Sequence, residues 1–181
     1  MLKFVILFRV RVRLKQLFMN FKTLVLLLST VSTALIGGLF YAYSCSVIPG
    51  LARLSDASFL QAMQSINRAI LNPLFFISFM GTLVILPISA WFFRDQSIVF
   101  YLLLAATLLY FGGVFLVTII GNVPLNNLLD GVDLGKLGAT ELTALREKFE
   151  PGWNLFHRIR TIASFICIVL VAYAAILSRN I

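Results

Sequence analysis

The sequence predicts an all-α integral membrane protein: a four-helix bundle of up-down topology, with short amphipathic helices in its two long connections. Three observations carry this. Four runs, residues 23–43, 74–93, 97–120 and 162–177, are almost wholly apolar, and about 20 such residues cross the ~30 Å of a bilayer's hydrocarbon. Charged residues are 12% of the 181, and mean hydropathy is +0.98; soluble domains carry roughly 25% charged residues. The runs also lack the two-residue alternation of a membrane barrel, so each must pair its backbone groups within itself, as a helix does.

Before the first run lie Lys3, Arg9, Arg11, Arg13, Lys15 and Lys22, with no acidic residue among them. Residues 1–22 are therefore read as a basic arm and residues 23–181 as one four-span domain. In a soluble protein such a cluster would suggest nucleic acid. Beside a span it is a cytoplasmic anchor under the positive-inside rule, so the expected partners are membrane lipids and not nucleic acid. An even number of spans then puts both termini, with Arg179, and the FRDQS turn with Arg94 in the cytoplasm. The connections 44–73 and 121–160 face outward. The stretch FRVRVRLKQ alternates like a strand although it leads into a helix, and Met19 offers an alternative start.

Ala34, Gly38 and Ala42 recur every fourth residue of the first span, a spacing that lets helices approach closely in lipid. Gly81, Gly112 and Gly113 invite the same reading, and Pro87 predicts a kink in the second span. In the first connection, Ser55, Asp56 and Ser58 offer N-cap side chains. Phe59, Leu60, Met63, Ile66 and Ile70 then recur at helical spacing, so a short helix lies on the membrane surface or folds over the bundle. Asn72-Pro73 ends it and starts the second span.

The third span stops on GNVPLNNLLD, residues 121–130. Asn122 and Asn126 either cap backbone groups freed by Pro124, or join a polar network, or touch a ligand. Thr140 predicts the start of a helix over residues 141–150 that Pro151-Gly152 breaks, and a last helix begins near Trp153 and runs into the fourth span. On a wheel at ~100° per residue, Trp153, His157, Arg160 and Ser164 share one face, with Thr161 at its edge. The topology gathers Ser44, Asn72, Asn122, Asn126, His157 and Arg160 at one end of the bundle. Arg160 is expected to face inward, within reach of Asn122 or Asn126. Cys45 and Cys167 sit at different depths and read as packing. The sequence has one histidine and no HExxH, P-loop, GxGxxG or CxxC pattern, so no cofactor and no metal site is called for.

Four stretches resemble the anthrone oxygenase-like family of small four-span membrane proteins. They are GLFYAYS with VIPGL at residues 38–44 and 47–51, MQSINRAI with NP at 63–70 and 72–73, NVPLN at 122–126, and Trp153 with FHRIRT at 156–161. His157 stands where that family more often carries Asn. The resemblance implies oxidation of a flat aromatic substrate by O₂ without metal or flavin. On that reading His157 is the candidate base and Arg160, Asn122 and Asn126 stabilise an oxyanion. Trp153 and Phe40 stack on the ring, with Asn67 and Asn72 beside it. The residues alone leave a second reading open: a non-enzymatic membrane protein binding a lipid, quinone or protein partner. An aromatic-lined cavity containing His157 and Arg160 separates enzyme or binder from a filled, purely structural bundle end.

Overall fold

The computed structural model describes the backbone of residues 2–178 and, apart from residues 2–8, 15 and 18, their side chains; Arg179 lies outside the described residues. Four long helices are apolar enough to cross a membrane. Their main segments are α1 (Leu2–Ala42), α4 (Pro73–Phe92), α5 (Ser97–Leu109) and α7 (Ala139–Leu177). Helix α1 packs on α4 and α7, and α5 packs on the same two, which closes a ring of four. Large apolar side chains such as Leu27, Leu74, Ile77, Leu108, Ile162 and Phe165 stay exposed around it. In lipid such exposure costs nothing, because hydrocarbon is as apolar as leucine. The chain is an integral membrane protein.

Most hydroxyls buried inside the spans are bonded, Ser89 in α4 being an exception. Ser29, Thr33, Thr82 and Thr118 each donate to the carbonyl four residues earlier, and the buried Tyr110 hydroxyl donates to the Phe79 carbonyl at 2.9 Å. A free hydroxyl in hydrocarbon would instead carry its full desolvation cost.

Two helices are too long for a bilayer. At ~1.5 Å per residue, the 41 residues of α1 and the 39 of α7 extend to about 60 Å, twice the hydrocarbon thickness. The N-terminal half of α7 stands above the bundle and is roofed by α3 (Asp56–Ala69), which follows the short α2 (Ile48–Leu51), and by α6 (Val123–Asp130). This makes two storeys. The lower core includes Ile36, Phe79, Leu86, Leu103, Tyr110 and Val171. The upper core is Phe59, Leu60, Met63, Leu129, Leu134, Phe149 and Trp153. The apolar stripe of α3 thus folds over the bundle. Ser55 caps it by accepting the Ser58 N–H, and Asn72 caps α4 by accepting the Phe75 N–H at 3.1 Å. Arg146 clamps α3 to α7: it reaches Asp56 at 3.0 Å, Glu150 at 2.7 Å and the Leu54 carbonyl at 2.9 Å, over the Phe59 ring. The Thr143 hydroxyl and then Arg146 hold the Asp56 carboxylate below its ordinary value, because both bond to its charged form.

Several sequence expectations are corrected. The strand-like alternation of the arm lies on a helix, since α1 is unbroken from Leu2; extending a helix adds a bond per residue, whereas a lone strand leaves its backbone unpaired. Ala34, Gly38 and Ala42 face lipid, and nothing lies within 4 Å of a Cβ added at Gly38. The close approaches are at Gly37, where a Cβ would overlap Ile168, and at Gly113, where it would fall 2.7 Å from Ala163 Cβ. Helix α7 is not broken at Pro151 and is not capped by Thr140. It starts at Ala139, where Glu141 accepts the Gly138 N–H at 2.8 Å. Pro151 removes one helical donor, but the carbonyl it deprives belongs to Glu147, an exposed residue whose backbone need not depend on that bond. The third span does not stop at Gly121 either, because α6 continues it to Asp130.

Candidate functional site

The site lies between the storeys, where the helices change pitch. Span one leaves α1 through a π-helical turn, Tyr43–Val47, and span three leaves α5 through two, Tyr110–Leu116 and Thr118–Asn122. In the first, the Ile48 N–H reaches back five residues to the Tyr43 carbonyl; in the last, the Val123 N–H does the same to Thr118. Wide turns of this kind re-aim side chains and recur at functional positions. Here they carry Tyr43, Ser44, Thr118 and Asn122.

On α7, Trp153, His157, Arg160 and Ser164 are all buried, as the wheel predicts. Arg160 faces inward, but its partner is neither Asn122 nor Asn126. Its Nε and Nη2 donate to His157 Nδ1 at 3.3 and 3.2 Å. Its guanidinium lies 4.4 Å from the Phe40 ring centre and 5.3 Å from that of Trp153. The spacing of three residues on one helix brings His157 and Arg160 together more directly than a reach across the bundle would.

With Nδ1 accepting, the neutral imidazole carries its proton on Nε2 and donates it to Ser44 Oγ at 2.9 Å. Thr161 Oγ1 lies 3.3 Å from Ser44 Oγ and donates to the His157 carbonyl at 2.7 Å. The ring itself is stacked on Trp153, with centroids 5.1 Å apart and planes 9° apart, and meets Phe40 edge-on.

The asparagines do not cap the third span. Asn122 Nδ2 donates to the Trp153 carbonyl at 3.1 Å, and Asn126 Oδ1 accepts the Trp153 indole N–H at 2.8 Å. Together they fix Trp153 from opposite ends. Gly121 permits this, since the Phe156 ring occupies the space a Cβ would need.

A cavity of about 90 Å³ opens over this cluster. Span one lines it with Leu39, Phe40 and Tyr43. Helix α3 and the turn after it supply Ile66, Asn67, Ile70 and Leu71. Phe75, Thr118, Val123 and Asn126 come from spans two and three, and Trp153 and Arg160 from α7. A second cavity of about 90 Å³ shares Asn67, Leu71, Val123 and Asn126 as a common wall and leads toward Arg68 and Asp130, which pair across its mouth.

Of the eight candidate site residues, five line the first cavity: Phe40, Asn67, Asn126, Trp153 and Arg160. Three do not. Asn72 is spent on capping α4, Asn122 holds the Trp153 backbone, and His157, fully buried, sits behind Arg160. Sequence reasoning missed Tyr43 and Thr118, which the wide turns bring in; the GLFYAYS stretch around Tyr43 was the only available signal.

Among known proteins, a family model described as anthrone oxygenase matches residues 72–170, more than half of the chain. The match spans α4 through most of α7 and so includes Thr118, Asn126, Trp153 and Arg160. No curated protein and no solved structure matches the chain.

Proposed function

Because the chain belongs to the anthrone oxygenase family, we propose that it oxidises a flat phenolic or polyketide-like substrate with O₂, in the manner of anthrone oxygenation and without a cofactor. The observation that carries this is the cavity: a mainly apolar lining that includes Phe40, Tyr43, Phe75 and Trp153, with one buried guanidinium. In the reaction a CH₂ between two aryl rings loses a proton, and the resulting enolate carbon bonds to O₂. The peroxide takes up a proton, then loses water as its C–H and O–O bonds break. One oxygen stays as the new carbonyl and the other leaves in the water.

Arg160 sits where the enolate oxygen would lie and stabilises charge that develops in a water-poor site. Phe40, Tyr43, Phe75 and Trp153 line the space that the rings take. The arrangement gives His157 a positioning role: its Nδ1 lone pair holds Arg160, so it has no lone pair free to take the substrate proton. Pockets for drug-sized ligands run to roughly 300–1,000 Å³, more than either cavity of about 90 Å³, so in this reading a three-ring substrate takes up both, joined through Asn67. The basic arm orients the protein with both termini in the cytoplasm and this site outward. A cysteine at exposed Lys136, with Cys45 replaced by serine, then labels in intact cells; labelling only after permeabilisation reverses the orientation.

The activity is tested by oxygen uptake and quinone absorbance with purified protein and a panel of anthrones, with and without chelator. Chelator-resistant turnover that falls about 100-fold in Arg160→Gln supports the reading, being the loss of one oxyanion donor. If the panel is not turned over while apolar ligands still bind, the second reading replaces it: a non-enzymatic protein that binds a lipid or quinone in the same cavity.

A further inference from the structure

Arg160 is a buried cation without a counter-ion. It is 8% exposed, and among the described residues no carboxylate pairs with it. The side-chain hydrogen bonds of Arg160 go to one neutral acceptor, His157 Nδ1, and leave Nη1 with none. Burying a charge unpaired costs several kcal/mol, and two aromatic faces recover only a part of this. A second unpaired donor lines the same cavity: Asn67 Nδ2 is buried with no hydrogen-bond partner.

We propose that the ligand itself supplies the missing charge: the cavity binds its aromatic ligand in the ionised form, as a phenolate or enolate whose single oxygen sits between the Arg160 guanidinium and the Asn67 amide. This rests on the cavity being the substrate site and names the state in which substrate occupies it.

The surroundings favour an aryl anion over a lipid phosphate. A phosphate presents several strongly hydrated oxygens, and one guanidinium with one amide would leave most of them unsatisfied. A phenolate carries one oxygen and spreads its charge over rings that suit the mainly apolar lining of Leu39, Ile66, Ile70 and Phe75. The ionisable groups facing Arg160 are Tyr43 of the first wide turn and His157 of its own helix; α3, α6 and the wide turn of span three contribute Asn67, Asn126 and Thr118, none of which titrates. Among the described residues no carboxylate competes for the position.

The test uses 2-hydroxyanthraquinone, whose colour reports its ionisation and which has no CH₂ to oxidise, together with its methyl ether, which cannot ionise. Both are titrated into the full-length protein in detergent, against empty micelles. The bound phenol is expected to half-ionise at least one pH unit lower than in micelles, and to bind at least about tenfold tighter than the ether once ionised, the two being one free energy. Both differences should vanish in Arg160→Gln, persist in part in Arg160→Lys, and stay unchanged in Arg158→Gln, an exposed site on the same helix. The ether arm needs no substitution, so a variant that misfolds does not spare the idea. Equal binding of phenol and ether to the unsubstituted protein overturns it, as does displacement of the bound phenol by anionic phospholipid. Anion preference without oxygen uptake on anthrones overturns the oxygenase and leaves the ligand class standing; oxygen uptake without anion preference does the reverse.

Discussion

Arg94 and Arg160 make the same contact at opposite ends of the bundle. Each guanidinium carbon lies 4.4 Å from an aromatic centre, that of Trp91 in one case and Phe40 in the other. Arg94 is exposed at the short turn between α4 and α5 and donates to the Trp91 carbonyl, so water completes its shell. Arg160 lies beneath α3 and α6, and water is replaced there by rings and one imidazole. Identical local geometry is thus an ordinary surface stack at one end and an unbalanced charge at the other. What differs is the roof, and the roof is built by the two long connections.

The largest expected effect comes from removing the roof's central ring. Phe149 is fully buried between Phe59 and Trp153. Phe149→Ala should cost about 3–5 kcal/mol in detergent unfolding. At the bare end, Phe21→Ala removes an exposed ring beside Phe92 and should cost about 0.5 kcal/mol. Equal losses would mean that the two ends are held alike.

A smaller effect separates the close-packed face from the lipid face within the roofed half. Gly113→Ala forces a methyl against Ala163 and should destabilise by about 1–3 kcal/mol. Gly38→Ala meets nothing and should stabilise by about 0.5–1 kcal/mol, since alanine loses less backbone freedom in a helix. Thermal unfolding of both variants reads the contrast; a stabilised Gly113→Ala would show that α7 is free to back away.

The smallest change in stability, and the sharpest form of the comparison, is Arg→Met at each end. Arg94→Met should alter stability by no more than about 0.5 kcal/mol. Arg160→Met should leave the melting temperature unchanged or raise it, because it removes a buried charge that no protein group neutralises, while weakening binding of an ionised ligand. A clear loss of stability in Arg160→Met alone would mean that the guanidinium serves the fold and not a ligand.

The spans were legible because membrane crossing depends on the apolar length of one segment, and each run carries that information alone. The inward face of α7 was legible for a similar reason: Trp153, His157, Arg160 and Ser164 follow helical spacing. Arg160's partner was misread although the signal was present, three residues away on the same helix. Pro151 misled because whether a helix tolerates proline depends on whether the deprived carbonyl can do without its bond, here that of exposed Glu147. Tyr43 and Thr118 were out of reach for a different reason. A shift of backbone bonding from four residues to five leaves no composition or periodicity behind.

That shift makes the turn at Tyr43–Val47 a surplus bead on the string. A π turn takes in one residue more than an α turn, so a chain shortened by one residue here would relax into plain helix and still be long enough to span. The turn absorbs its own surplus, so side chains past it would keep roughly their facing, whereas Tyr43 and Ser44 lie within it and would lose the placement that sets Ser44 Oγ 2.9 Å from His157 Nε2. Membrane insertion is thus written in hydrophobic length, and the placement of Tyr43 and Ser44 beside the cavity in residue count, on one continuous helix.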